Sequence, residues 1–440
     1  MPETKRTDAG APRRRFTRYP VYKDSGVEWL GEIPAHWDPL KLKRICTFAY
    51  GDSLASEARV DGDVEVYGSN GPVGSHERSN TLAPCLVIGR KGSFGKVNFS
   101  PRPVFAIDTT FFVDRRFTRV DIRWLYYVLT NMRLDSVTKD SAIPGLDRED
   151  AYVRGVCLCS PDEQRAIAAF LDRETARIDA LVAKEERLIE LLQEKRTTLI
   201  TRAITKGLDP NGPMKDSGVE WLGEIPAHWE VKSLKRISRR VGVGIAEAAT
   251  HAYADEGVPI IRSTNVRANQ VLAHDLLRIE RSFAEKHRSK YLFAGDLVTV
   301  RTGVPGTTAV VPDELDRSQC FTMLISTPQK GHVSAFLSYF LNSTSAQVYF
   351  ELEGWGTAQT NISVPILQRI PIPVPSEDQQ KAIVAYIESE IARIDGLLAR
   401  VQEAIDRLEE FRTALISAAV TGKIDVLEEA SRIAGTAPPC

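Results

Sequence analysis

The chain has 440 residues, a formal net charge of −1 and 43% hydrophobic residues, so it is long enough for about two to four domains with apolar cores. Its mean hydropathy is −0.20 and no run of about eighteen apolar residues occurs, which excludes a membrane-spanning helix. The six cysteines include no CxxC pair, so neither a zinc site nor a disulfide framework is expected, and we predict a cytoplasmic protein.

Residues 1–22 are predicted to form a disordered basic arm. This segment contains the run Arg13-Arg14-Arg15 and lacks the apolar stretch that a secretory signal requires. We therefore expect no membrane partner.

The sequence KDSGVEWLGEIPAHW occurs at 23–37 and again, letter for letter, at 215–229. Further stretches match in the same order along the chain, namely 42–45 with 234–237, 84–95 with 295–306, 171–182 with 387–398, and 196–209 with 412–425. The chain is therefore an internal repeat. In each copy, matching stretches form a frame on both sides of a central segment, the middle, whose sequence differs between the copies. We therefore predict that the two middles recognise different targets.

The repeat divides the chain into two domains and two long helices. Strand-like runs at 85–89, 104–113 and 296–300, with short helices at 120–134 and 332–350, predict a mixed α/β (α+β) fold. We expect two α/β domains related by a pseudo-two-fold axis and separated by a pair of long antiparallel coiled-coil helices. The predicted boundaries are 1–22 for the arm, 23–159 for the first domain, 160–209 for the central helix, 210–375 for the second domain, 376–425 for the C-terminal helix and 426–440 for the tail.

Both long helices have the same start signal. Ser160 fits the N-cap, Pro161 the first helical position and Glu163 the capping-box position, and Ser376 and Gln379 repeat the device. Apolar residues then recur at heptad-related positions: Leu171, Ile178, Leu181, Leu188, Leu192 and Leu199, then Ile387, Ile394, Leu397, Ala404, Leu408 and Leu415. Because a long helix with one apolar stripe needs a partner, we predict that the two helices pair with each other. The alternative is a stalk that joins two copies of the chain.

The identical blocks are predicted to pack rather than to recognise a target, because two different recognition surfaces would not need identical contacts. Their apolar residues are Trp29, Leu30, Ile33, Pro34 and Trp37, with Trp221, Leu222, Ile225, Pro226 and Trp229 in the second copy. We expect them to hold each domain on the helix pair. The alternative is a docking site for a partner that binds twice.

No motif of a catalytic or metal site is present. The glycine-rich stretches GRKGSFG and RTGVPG lack the G-K-[ST] of a phosphate-binding loop, and neither HExxH nor G-x-S-x-G occurs. The tetrapeptide N-P-P-[FY] of amino-methyltransferases is also absent. We therefore predict no catalytic residue and no metal ligand in this chain.

The loops instead carry side chains that suit DNA. Arg and Lys pair with guanine, Asn and Gln with adenine, and Ser and Thr with bases or phosphates. The candidate DNA-binding residues are Ser69, Asn70, Arg90, Lys91, Ser93 and Lys96 in the first domain, and Arg262, Ser263, Thr264, Asn265, Arg301, Thr302, Gln359, Thr360 and Asn361 in the second. The alternative for each is ordinary turn chemistry, because turns also favour Gly, Asn and Ser.

Taken together, these stretches resemble the specificity subunit of type I restriction–modification systems. The resemblance covers about residues 20–425 and rests on the duplicated SGVEWLGEIPAHW, on LVIGRKGSFGKV, on the SAIPGL and AQTNIS segments, and on the starts of the two helices. It implies two target-recognition domains that each read one half of a bipartite, asymmetric target in double-stranded DNA. It also implies helices that set the spacing between the halves.

The same resemblance implies partners. Two methyltransferase subunits would dock on the helices, and restriction (translocase) subunits would join through the complex. No cofactor is expected on this chain, since AdoMet, ATP and Mg would bind to the partner subunits. Two alternatives are a stand-alone DNA methyltransferase or nuclease with unrecognised motifs, and a coiled-coil scaffold that does not bind DNA.

Overall fold

The computed structural model describes residues 16–136, 145–247, 250–353 and 361–428, and the chain divides into two units. The first unit takes in Met1–Glu185 and Glu403–Cys440, and the second takes in Glu186–Gln402. Each unit therefore holds one α/β domain and about half of each long helix. Because both units share the helices, this division does not test the predicted boundaries at 159 and 375.

The first unit contains short β-sheets and helices. Its elements in chain order are β1 Tyr22–Asp24, β2 Glu32–Pro34, β3 Asp38–Lys41, β4 Ala49–Tyr50, β5 Val64–Gly68, β6 Gly71–His76, β7 Cys85–Gly89, β8 Val97–Ser100, β9 Phe105–Ala106, β10 Thr110–Val113, α1 Ile122–Asn131, α2 Arg148–Tyr152, β11 Gly155–Leu158 and α3 Pro161–Lys206. Strands β4-β10-β7-β8 form an antiparallel sheet, and β6-β5-β9 form a second sheet in which β5 and β9 are parallel. Hairpin β1-β2 and the pair β3-β11 complete the unit.

The core of the first unit joins the domain to the helices. Trp37, Phe48 and Trp124 are fully buried in the same apolar cluster as Leu171 of α3. Leu415 of the C-terminal helix belongs to that cluster as well. The apolar face of the domain is therefore covered by the helix pair rather than by a separate layer.

The second unit follows a related plan with more strands. Its elements are β12 Met214–Asp216, β13 Glu224–Pro226, β14 Glu230–Ser233, α4 Leu234–Ile237, β15 Ser238–Val243, β16 Tyr253–Ala254, β17 Val258–Ile261, β18 Val266–Arg267, β19 Gln270–Val271, β20 Leu277–Ile279, α5 Arg281–Lys286, β21 Leu297–Thr299, β22 Thr308–Val310, β23 Gln319–Cys320, β24 Leu324–Pro328, α6 Ser334–Leu341, α7 Thr344–Glu353, α8 Val364–Arg369, β25 Pro371–Val374 and α9 Glu377–Val420. Two four-stranded sheets have the orders β15-β24-β21-β22 and β16-β20-β17-β23, alongside the pairs β12-β13, β14-β25 and β18-β19. The predicted mixed α/β class is confirmed.

The long helices start as the capping signals predict. The Glu163 amide donates to Ser160 Oγ over 3.3 Å, and the Ser160 amide donates to Glu163 Oε2 over 3.2 Å. Ser376 and Gln379 make the same reciprocal pair at 3.4 and 3.3 Å. Helices α3 and α9 therefore begin one residue after their N-caps, at Pro161 and Glu377.

Within each unit the two helices are paired antiparallel. In the first unit, Arg412 Nε of α9 donates to Asp179 Oδ1 of α3 over 3.0 Å. In the second, Arg196 Nη1 of α3 donates to Asp395 Oδ1 of α9 over 2.8 Å, and Ala203 and Ile383 share one apolar cluster. The predicted pairing of the helices with each other is therefore present within each unit.

The predicted heptad stripe is buried only in part. Ile178 and Ile394 are buried, whereas Leu181, Leu188 and Leu397 are 37–41% exposed. A straight α-helix drifts by about 20° per heptad from a strict seven-residue repeat. The stripe therefore leaves the shared face as it runs along each helix.

Two sequence-based elements differ from the structure. The strand predicted at 104–113 is split into β9 and β10, which belong to different sheets, because the Thr110 amide donates to Ile107 O and closes a turn between them. The helix predicted at 332–350 is split into α6 and α7 at Asn342 and Ser343.

None of the helices in the described ranges is both long enough and apolar enough to span a membrane. Over the same ranges, no group of three or more His, Cys, Asp or Glu side chains could hold a metal ion.

Candidate nucleic-acid interface

In the first domain, the predicted loop residues lie together at two neighbouring turns. One turn joins β5 to β6 and carries Ser69 and Asn70, and the other joins β7 to β8 and carries Arg90, Lys91, Ser93 and Lys96. The Lys96 ammonium donates to Asn70 Oδ1 and to Asn70 O, both over 2.8 Å. The structure therefore brings all six predicted residues to one edge of the domain.

The carbonyl of Thr109 holds this edge in place. It accepts hydrogen bonds from Ser69 Oγ at 2.8 Å, from the Arg90 amide at 2.9 Å and from the Lys91 amide at 3.2 Å. Gly89 permits the close approach of the two turns, because a Cβ there would lie 2.2 Å from Ser93 O and 2.9 Å from Ser69 O. The side chains of Asn70, Lys91, Ser93 and Lys96 remain exposed.

Sequence reasoning missed two residues at this edge, Tyr50 and Arg148. The Tyr50 ring is 50% exposed and contacts two guanidinium groups, with Arg90 Cζ at 4.9 Å and Arg148 Cζ at 5.3 Å from its centroid. The Arg90 guanidinium also donates to Asp108 O. Cation–π contacts fix the three side chains relative to one another, and we call them the Tyr50 cluster. The sequence signal was weak, because β4 has two residues and α2 has five.

A basic cleft adjoins the same turns within the first unit. It has a volume of about 630 Å³ and is lined by Lys96, Arg133 and Arg412, together with Asp135 and the Gly95 backbone. Arg412 lies on α9 and is paired through Nε with Asp179 of α3, so the helix places a guanidinium group beside the loops of the domain. Such a cleft suits a phosphate backbone.

In the second domain, the predicted residues divide between two sheets. Arg262, Ser263, Thr264 and Asn265 follow β17, whereas Arg301 follows β21 of the other four-stranded sheet. Ser263 and Thr264 are exposed. Asn265 is 5% exposed, and its Oδ1 accepts from the Arg262 amide over 3.1 Å. The side chain of Asn265 therefore shapes the turn.

Arg301 and Asn361 form a second group in this domain. The Arg301 Nε–H donates to Asn361 Oδ1 over 3.0 Å, and the Ile362 amide donates to Arg301 O over 3.2 Å. Thr302 is exposed beside them. The first domain repeats the backbone contact, where the Leu146 amide donates to Arg90 O over 2.9 Å. Gln359 and Thr360 lie outside the described residues.

The identical blocks hold each domain on the helix ends within its own unit. Ile33, Trp37, Ile225 and Trp229 are buried. A Cβ on Gly422, just after α9, would lie 2.3 Å from Pro34 Cδ, and one on Gly207, just after α3, would lie 3.3 Å from Trp229 Cζ2. The packing role predicted for these blocks is therefore observed, although Trp29 is 47% exposed.

A transposed pair of residues preserves one further contact. The first copy ends in Thr205-Lys206-Gly207 and the second in Thr421-Gly422-Lys423. Lys206 donates to Glu224 O, and Lys423 donates to Glu32 O over 3.4 Å. Glu32 and Glu224 occupy the same position in the two identical blocks, so each lysine ties its helix end to the same carbonyl of the block.

Comparison with known proteins identifies this architecture. Residues 226–407 match the family model for the type I restriction modification DNA specificity domain. The matched segment belongs to the type I restriction modification DNA specificity domain family, and curated type I specificity subunits match most of the chain. The predicted family and its role in DNA recognition are thereby confirmed.

Individual relatives of this specificity-subunit family cover most of the chain. The type I restriction enzyme MjaVIII specificity subunit of Methanocaldococcus jannaschii is 25% identical over 70% of this chain and 71% of its own length. The EcoBI specificity subunit of Escherichia coli is 20% identical over 77% and 73%. A chain from a structure that addresses complex assembly and conformational transition of the type I R-M system shares the fold, with a TM-score of 0.61, 14% identity, and coverage of 88% of this chain and 98% of that one.

The matches to specificity subunits also decide the class of protein. The homologues are specificity subunits of type I restriction–modification systems, which are non-catalytic, so the prediction that this chain is not itself an enzyme is confirmed by these matches. DNA and the other subunits of such a complex are its partners in general terms. The fifteen site residues stay predictions.

Proposed function

We propose that this chain reads a bipartite, asymmetric target in double-stranded DNA for a type I restriction–modification complex. Residues 23–159 read one half of the target and residues 210–375 read the other. The paired helices α3 and α9 set the number of base pairs between the halves.

One observation carries this proposal: the two copies share their frame and differ in their middles. The identical blocks, the capping boxes and the lysines at the helix ends are repeated with their contacts. The domain of the first unit has a four-stranded and a three-stranded sheet, whereas that of the second has two four-stranded sheets. The two domains are therefore attached to the helices in the same way but have different recognition surfaces. A target with two different halves requires this combination.

The chemistry of the first edge supports direct contact with DNA. Lys91, Lys96 and the basic cleft supply charges for phosphates, while Asn70 and the Tyr50 cluster supply amide, guanidinium and aromatic groups for bases. In the second domain Ser263, Thr264, Arg301 and Thr302 supply the corresponding groups. Backbone phosphates would fix the register of each domain, and the loop side chains would discriminate the bases.

The helices offer a surface for the partners. In the second unit Leu188, Leu191 and Leu397 are 37–45% exposed on α3 and α9, so these apolar side chains are available for contact with a partner. Two methyltransferase subunits dock on the helices, and the restriction subunits join through the complex. AdoMet, ATP and Mg are bound by those partners, and the complex works in the cytoplasm.

Methylome sequencing tests the proposal directly. A host without DNA methylation would express this chain with its cognate methyltransferase subunit, and the control would express the methyltransferase alone. We expect one split motif, modified on both strands, that appears only with this chain. Modification of a continuous or palindromic motif, or of the same motif in the control, would contradict the proposal.

A further inference from the structure

In the first unit, residues 16–22 close a groove beside the identical block. Phe16 packs edge-on against Phe170 of α3, with ring centroids 5.7 Å apart, and Tyr19 packs on Trp37 at 5.8 Å. Tyr22 Oη donates to Gly422 O over 2.9 Å. This segment therefore covers apolar side chains at the start of α3, and Phe170 is only 4% exposed.

The repeat places residues 208–214 at the same position in the second unit, and this segment lacks the aromatic rings. Leu208 stands where the first copy has Phe16, Asn211 where it has Tyr19, and Met214 where it has Tyr22. Tyr386, the counterpart of Phe170, is 42% exposed. The second copy is therefore more exposed at Tyr386 than the first copy is at Phe170.

Two adjoining cavities mark this position. One has a volume of about 260 Å³ and lies beside Met214, His228 and Trp229. The other has a volume of about 700 Å³ and lies beside Leu191, Leu199 and Tyr386. Leu208 lines both cavities and is 44% exposed. We call the two cavities together the open groove.

A buried polar atom beside the open groove lacks a partner. In the first unit the Trp37 Nε1–H donates to Glu163 Oε1 over 3.1 Å. The equivalent Nε1–H of Trp229 is buried and has no hydrogen-bond partner among the described residues. An unpaired buried donor is costly, so an acceptor that reached the Trp229 Nε1–H would stabilise this site.

We propose that the open groove binds an extended peptide segment from a partner subunit, with two aromatic side chains three residues apart. This proposal rests on the proposed function, because it requires that the chain works in a complex. The spacing of the two aromatic residues is taken from residues 16–22, because Phe16 and Tyr19 fill the equivalent space in the first unit. One aromatic ring would cover Tyr386 and Leu208, and the other would enter the cavity beside Met214, His228 and Trp229.

The first unit's own segment is not available to fill the groove of a second copy. It is held in its own unit by the bond from Tyr22 to Gly422 O, and by the Asp425 amide, which donates to Thr17 O over 2.9 Å. Releasing it would expose Trp37 and Phe170. We therefore assign the groove to a segment of another protein.

A labelled peptide tests the groove. The probe is RRFTRYPVYK, residues 14–23 of this chain, and its binding to the full chain is followed by fluorescence anisotropy. We expect saturable binding that Leu208→Asp and Tyr386→Asp each weaken by about tenfold or more. Both side chains are more than 40% exposed, so these variants should fold. Leu352→Asp, at a side chain 63% exposed on α7 of the same unit, is the matched control and should bind normally.

A second probe, with Ala in place of Phe16 and Tyr19, keeps the charge of the peptide and should not bind. Equal binding of both probes, equal binding to all variants, or no saturation up to about 1 mM would overturn the groove as an aromatic-binding site.

Assembly of the complex tests the choice of a partner subunit. Saturating peptide should weaken association of the full chain with its cognate methyltransferase subunit, and so should Leu208→Asp. If Leu208→Asp leaves both assembly and split-motif methylation unchanged, the inference fails while the proposed function stands. If the chain alone forms dimers that Leu208→Asp abolishes, the occupant is a second copy, and the partner is excluded.

Discussion

Glu163 and Gln379 occupy the same position in the two repeats. Their side chains can accept hydrogen bonds from different numbers of donors. The Glu163 carboxylate accepts from His36 at 2.8 Å and Trp37 at 3.1 Å through Oε1, and from Ser160 through Oε2. Gln379 has one acceptor oxygen, which takes the Ser376 amide, while its amide nitrogen contacts His228. The identical blocks are therefore held by different chemistry.

Exchanging these two residues should have opposite effects on the two units. Glu163→Gln leaves donors unpaired around Trp37, so we expect the free energy of unfolding of the first unit to fall by about 1–3 kcal/mol. Gln379→Glu gives Trp229 an acceptor and should stabilise the second unit by about 0.5–1.5 kcal/mol. Hydrogen exchange of buried strand amides would report each unit separately in the full chain. A shift of the same sign in both variants would contradict this account.

Glu163 should also make the stability of the first unit sensitive to acid. Burial alone would raise the pKa of Glu163, but hydrogen bonds from His36, Trp37 and Ser160 lower the pKa below its usual value of 4.5. Because the folded pKa is lower than the unfolded one, this stabilisation is present above about pH 4.5 and is lost as the pH falls through the folded pKa. The difference in unfolding free energy between the wild type and Glu163→Gln should therefore shrink below about pH 4.5. A difference that is constant down to about pH 3 would exclude a role for the carboxylate charge.

The Tyr50 cluster should determine recognition by one domain only. Tyr50→Ala removes the ring that Arg90 and Arg148 contact, so we expect DNA affinity to fall by about tenfold and discrimination to relax in one half of the target. Tyr50→Phe keeps the ring and should behave like the wild type. Methylome sequencing of both variants would separate the halves, and an equal loss in both halves would show that the effect is not local.

The candidate residues that the sequence identified are those marked by local turn chemistry. Arg90, Lys91 and Lys96 stand in a glycine-rich turn, and the structure places them together at the domain edge. Arg148 is far from Tyr50 in the chain, and Arg412 lies near the other end of the chain. Such contacts depend on tertiary packing, which no local pattern in one sequence specifies.

Elements were predictable where a local signal decides them. The capping boxes at Ser160 and Ser376 located the starts of α3 and α9 to one residue. The sequence predicts one helix over 332–350, although Asn342 is held from outside this stretch. Its Oδ1 accepts from the Thr308 amide, and its Nδ2–H donates to Thr308 O. Ser343 Oγ then accepts from the Ala346 amide, so the Asn-Ser-Thr sequence contained a second N-cap signal.

At the scale of the whole molecule, the repeat predicts that target spacing depends on helix length. Four residues inserted after Glu185 in α3 and four after Gln402 in α9 would add about 6 Å to each helix. The rise of DNA is about 3.4 Å per base pair, so we expect the gap between the two halves of the target to grow by one or two base pairs while both halves keep their sequence. Insertion in α3 alone would remove the matched pairing with α9, and it should abolish modification instead of shifting it. Methylome sequencing of the three proteins measures the gap directly. If both helices are lengthened and the gap between the two halves of the target is unchanged, the helices do not set the spacing.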